Sequence, residues 1–126
     1  MIVRIVAAAP YELGAGPRGT RQTFPIVGGD FEGPRLRGRV LDGGGDWGLV
    51  RPDGVLELSL RATLQTDDGA LIAMSFDALR DGERYFRSVP RFEAADGRYS
   101  FLNRIVAIGV DELRAPGAVH SFYEVL

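Results

Sequence analysis

The chain has 126 residues, 45% hydrophobic and 25% charged, with a formal net charge of -2; this is the profile of one ordinary globular domain, long enough to bury a core without disulfide or metal staples. It holds no cysteine, and all 15 basic residues are arginine, which excludes thiol nucleophiles, thiolate metal sites, iron–sulfur clusters, lysine Schiff bases and a Walker-type phosphate loop. No apolar run approaches the length of a membrane-spanning helix, and neither a membrane nor nucleic acid is an expected partner.

The run from Ile2 to Pro10 is broken by Arg4 and too short for a secretory signal. It reads as a first strand, Ile2 to Ala9, with cytoplasmic residence as the default expectation. Beyond it, 17 glycines and 7 prolines cut the chain into segments too brief for typical helices and right for strands. Strands are expected at Thr20 to Val27, Arg35 to Leu41, Trp47 to Arg51, Val55 to Thr66, Ala70 to Asp77, Arg84 to Arg91, Leu102 to Asp111 and Val119 to Leu126. Arg35, Arg37 and Arg39 alternate on a solvated strand face. The stretch Asp42 to Asp46 is a flexible glycine-rich loop; acidic residues flank it and no helix follows, so it is not a phosphate cradle.

Val55 to Thr66 and Ala70 to Asp77 form the clearest hairpin, because Asp68-Gly69 accepts the positive φ of a tight turn. The first of these strands puts Leu56, Leu58, Leu60, Ala62 and Leu64 on one face and Glu57, Ser59, Arg61, Thr63 and Gln65 on the other. Helical signal is confined to one turn after Asp77, a candidate cap, and Gly82 limits it. The segment Leu102 to Val110 is apolar on both faces apart from Asn103 and Arg104, which predicts cover on both sides by a loop or by a second copy in a homodimer. About nine strands in one domain, residues 1–126, predict an all-β fold, a single closed or nearly closed antiparallel barrel; closure removes exposed edges, and such barrels commonly hold one ligand inside. A sandwich is the alternative.

Several phrases then occur in a recognisable order: Pro25 to Pro34 (PIVGGDFEGP), Gly38 to Leu41, Gly45-Asp46-Trp47, Arg51 to Val55, Arg61, Thr66 to Gly69, Tyr85-Phe86-Arg87 with Pro90 and Phe92-Glu93, and Tyr99 with Leu102-Asn103. This set resembles domain-of-unknown-function family 3237, and the resemblance implies a calycin-like barrel, lipocalin-like in plan, of unestablished function. The chain departs from the family pattern at Ser59, where an acidic residue is usual, at Ala62 in place of tyrosine and at Phe101 in place of tryptophan. It also lacks most of the segment that usually precedes Tyr85.

The polar residues of those phrases are the candidate site. Arg61 and Arg87 offer planar donor forks for an anionic ligand oxygen; Glu93, placed with them as catalytic, or Asp46 is the proton-moving group. Phe31, Asp46, Trp47, Tyr99 and Asn103 are the expected ligand-binding residues, with flat apolar walls and orienting hydrogen bonds. Each also has a structural reading: Arg61 paired with Glu57 or Asp53, Arg87 with Glu93, Trp47 as core. The single histidine, His120, lacks the serine-elbow context of a hydrolytic triad, and one histidine without cysteine makes a transition-metal site unexpected. The expected function is small-molecule binding, with cofactor-independent isomerisation, cyclisation, lyase or hydratase chemistry on an oxygenated cyclic or aromatic compound. No cofactor or metal is expected. The alternatives are a non-catalytic carrier of an apolar ligand and a structural homodimer.

Overall fold

A computed structural model describes residues 1–126. It has ten strands: β1 (Ile2–Ala7), β2 (Tyr11–Gly16), β3 (Gly19–Glu32), β4 (Arg37–Val40), β5 (Gly44–Val50), β6 (Leu56–Thr66), β7 (Leu71–Asp81), β8 (Tyr85–Ala94), β9 (Ala107–Arg114) and β10 (Gly117–Glu124), with one 3-10 helix, Gly97–Arg104. Hydrogen-bonded neighbours run β1–β10–β9–β8–β7–β6, pass to β3 through β4 at one level and β5 at another, and return from β3 to β1. The sheet therefore closes as an eight-stranded antiparallel barrel, to which β2 and β4 are extra.

Alternation decides which face of each strand is inside. Leu60, Leu64, Ile72, Met74, Val3 and Ile26 meet in one buried apolar cluster, where each large side chain contributes about 1.5–3 kcal/mol by leaving water. At one end the 3-10 helix closes the barrel. Asp96 caps it by accepting from Arg98 N, Tyr99 and Leu102 are buried beneath it, and the Tyr99 hydroxyl donates to Asp68 Oδ2 at 2.7 Å. Asp68 sits in the β6–β7 turn, where its carboxyl is held below the usual range by hydrogen bonds from Thr66 and Tyr99. The opposite end carries the turns at residues 51–55, 82–84 and 115–116, the tip of the β2–β3 hairpin at residues 17–18 and the β1–β2 connection at residues 8–10. There the inward row of β7 (Ile72, Met74, Phe76, Ala78) ends in half-buried Arg80.

Four segments differ from the sequence expectation. Of the Asp42 to Asp46 loop, Gly44 to Asp46 is the start of β5, paired with Ile26 to Phe24 of β3. The helical turn after Asp77 is continuous strand, because Asp77, Ala78, Leu79 and Arg80 pair with β6 and β8 in unbroken register. The strand expected from Leu102 splits: Leu102 to Arg104 belong to the helix, and β9 begins at Ala107. Its double apolarity thus has two causes, since Leu102 plugs the barrel end while Val106, Ile108 and Val110 are exposed on the outer wall. Strand β2 escapes the sequence pattern because every one of its residues is exposed, so no buried face imposes alternation.

Candidate functional site

The seam between β8 and β9 is short, with only Arg87 opposite Val110 and Ser88 opposite Gly109; Pro90, which has no N–H to donate, follows two residues on. Inside this seam the strands turn polar residues into the barrel. Ser88 on β8, Asp111 on β9 and His120 on β10 are all buried, and Asp46 of β5, paired with Phe24 and Leu60, is half-buried. Gly109 makes the crowding possible: a Cβ there would lie 2.0 Å from Ser88 Oγ, 2.9 Å from Asp111 Oδ1 and 3.0 Å from Phe122.

His120 Nδ1 stands 2.9 Å from Asp111 Oδ1, both side chains being almost wholly inaccessible. The separation is that of a hydrogen bond, but without the alignment a full one needs. Phe76, Phe86 and Phe122 box the imidazole, with ring centroids at 4.7, 5.8 and 5.9 Å. Asp46 Oδ1, Ser88 Oγ, both Asp111 carboxylate oxygens and His120 Nδ1 are sealed from solvent without a hydrogen-bond partner in the protein. Asp46 Oδ2 and His120 Nε2 are outside that sealed set. Burial pushes the Asp46 carboxyl up to about 6, and the His120 charge pulls it partly back. A carboxyl that titrates near neutrality and an imidazole oriented by a second carboxylate are the components of general acid–base chemistry.

The eight residues expected from sequence are distributed over the molecule. Asp46 alone joins the interior polar group. Phe31 is core, 2% exposed between β1 and β4. The Tyr99 hydroxyl is committed to Asp68, and the Asn103 amide clamps the backbone of Ala94, accepting from its N at 2.7 Å and donating to its O at 2.8 Å. Arg61, Glu93 and the edge of Asn103 line an outer-wall cleft of about 750 Å³. Trp47 and Arg87 line a neighbouring one of about 1320 Å³. Arg87 lies over the Tyr85 ring and donates to Phe86 O. Arg61, Arg87 and Asn103 therefore do not share an internal cavity. Asp53 and Glu57 are taken by Arg51 instead of Arg61, and Trp47 is half exposed on the outer wall.

Ser88, Asp111 and His120 are the interior residues that the sequence reading passed over. Their signal is the period-two alternation of Gly109 and Asp111 along β9 and of His120 and Phe122 along β10, which puts them on the inward face.

The model of a family described as "Protein of unknown function (DUF3237)" matches residues 1–84 and 76–125. The two stretches overlap over residues 76–84, the second half of β7 and the β7–β8 turn. A UPF0311 protein of Clostridium acetobutylicum is 32% identical over 124 residues, spanning 85% of this chain and 78% of the relative. Among solved structures, a β-barrel-like protein from Acinetobacter baumannii AYE superposes with a TM-score of 0.88 at 31% identity, over 98% of this chain and 96% of that one. An enzyme from Penicillium herquei superposes at 0.78 with 19% identity, over 98% and 90% of the two chains; at that identity the likeness is one of fold.

Proposed function

The chain belongs to the DUF3237 family of proteins of unknown function, and from that premise we propose that it binds a small oxygenated ring compound inside the barrel and moves a proton on it without a cofactor. The observation that carries this reading is the set of five sealed polar atoms on Asp46, Ser88, Asp111 and His120: Asp46 Oδ1, Ser88 Oγ and Asp111 Oδ2 have no protein partner, and His120 Nδ1 and Asp111 Oδ1 have only each other, misaligned, at 2.9 Å. Leaving a buried polar atom unpaired costs about 1–3 kcal/mol. Such groups concentrate at sites built for a ligand.

In this reading Asp111 faces His120 Nδ1 and holds the imidazole so that Nε2 exchanges the proton. Asp46 is the second acid–base group. One of the pair removes a proton from a carbon next to a carbonyl while the other delivers one elsewhere, so an isomerisation or ring closure balances with no external oxidant or reductant. Ser88 hydrogen-bonds a ligand oxygen, and Phe76, Phe86 and Phe122 supply apolar walls for a ring.

Thermal unfolding in the presence of phenolic, polyketide-like and hydroxy-acid compounds tests the proposal, since a ligand bound only to the native state raises the midpoint. The expected result is a concentration-dependent rise for one compound class that is lost in His120→Gln and Asp46→Asn. Equal rises in all three proteins, or none with any compound at millimolar concentration, would count against it.

A further inference from the structure

On the outer face of the same strands, Arg61 of β6, Ser75 of β7 and Arg91 of β8 stand in one cross-strand row, Arg61 opposite Ser75 and Ser75 opposite Arg91. All three line the same cleft. The arginines in the molecule's ion pairs are Arg4, Arg37, Arg51, Arg98 and Arg114; neither arginine of this row is among them. Asp77 and Glu93 are the nearest carboxylates in register, and both stay beyond ion-pair distance. Two guanidiniums rooted roughly 9.6 Å apart, two strand spacings, flank a hydroxyl between them. Planar forks of this kind match a carboxylate.

The fourth position of the row is Gly45, directly opposite Arg61. It has no side chain, and the indole of Trp47 folds across it, so that a Cβ at residue 45 would sit 2.8 Å from the ring. The half-exposed indole, which lines the neighbouring cleft, thus reaches over Gly45 to the position beside Arg61. Small residues continue the surface at Gly43, Gly44, Thr63 and Ala73, leaving the cleft uncovered from that side.

The geometry points to a second ligand site on the outer wall, one for a planar organic carboxylate, with the ring of the ligand against the Trp47 indole over Gly45 and its carboxylate held by the adjacent Arg61 guanidinium, from which Ser75 and Arg91 continue the row. The site is independent of the interior group, which faces the other side of the sheet. Trp47 is the only tryptophan of the chain, so its emission reports occupancy directly.

Titration with benzoate, acetate and benzyl alcohol, followed by tryptophan fluorescence and by calorimetry, tests the inference. Benzoate is expected to change the emission saturably and to bind at least about tenfold more tightly than acetate or benzyl alcohol. The Arg61→Gln and Arg91→Gln double variant is expected to lose that preference while keeping the parent melting temperature, because both residues are exposed. His120→Gln is expected to bind benzoate as the parent does. Benzoate no better than benzyl alcohol, undiminished binding in the double variant, loss of binding in His120→Gln, or no saturable change at millimolar benzoate would each overturn it.

Discussion

Strands β5 to β9 present two opposite solutions to the placement of polar groups. Inside the barrel, polar side chains are few, sealed, and short of partners; outside, they are many and solvated, and several arginines go without a carboxylate. The interior arrangement is costly, since a low-dielectric setting magnifies each unpaired atom, whereas an unpaired surface arginine costs almost nothing because water serves it. A feature that persists despite a cost calls for a function more strongly than one that is free. That asymmetry is why the interior group is read as the reactive site and the outer row as a binding site.

The change expected to break this contrast most severely is Gly109→Ala. Its methyl would sit 2.0 Å from Ser88 Oγ and 2.9 Å from Asp111 Oδ1, so both side chains must leave their positions in a packed interior. A loss of about 3 kcal/mol in denaturant unfolding is expected. A cost near zero would mean the interior is loosely filled there. Asn103→Ala sharpens the contrast from the other side. Asn103 borders the outer cleft, yet its amide is spent on Ala94, so the variant is expected to lose about 1–3 kcal/mol. Unchanged stability would return Asn103 to the pool of ligand-binding residues.

Much of the barrel was legible from residue order. The alternation of Leu56 to Leu64 and the Asp68-Gly69 turn each name a structural cause, and the structure has β6, its hairpin and the inward face they imply. Strand β2 was illegible because it buries nothing. The helix at Gly97–Arg104 was hidden because its stability comes from tertiary partners, the Asn103 clamp on Ala94 and the Tyr99 bond to Asp68, which local propensity does not record. Of the interior site only Asp46 was singled out from sequence. The others were masked by chemistry rather than position: a lone histidine suggests neither triad nor metal, and Asp111 and Ser88 become conspicuous only once β8, β9 and β10 are side by side.

The central claim, that the interior holds a strained acid–base group, is tested most directly by the stability of Asp46→Asn against the parent at pH 4 and pH 8. In the folded chain the Asp46 carboxyl is raised from 3.8 to about 6, so its contribution to stability is complete below its unfolded value and is lost as pH rises through the folded one. Asparagine does not titrate. The variant is therefore expected to match the parent closely at pH 4 and to be more stable than it by about 2–3 kcal/mol at pH 8. A variant equally or less stable than the parent at pH 8 would show that Asp46 is ionised there at no cost, and would contradict the claim.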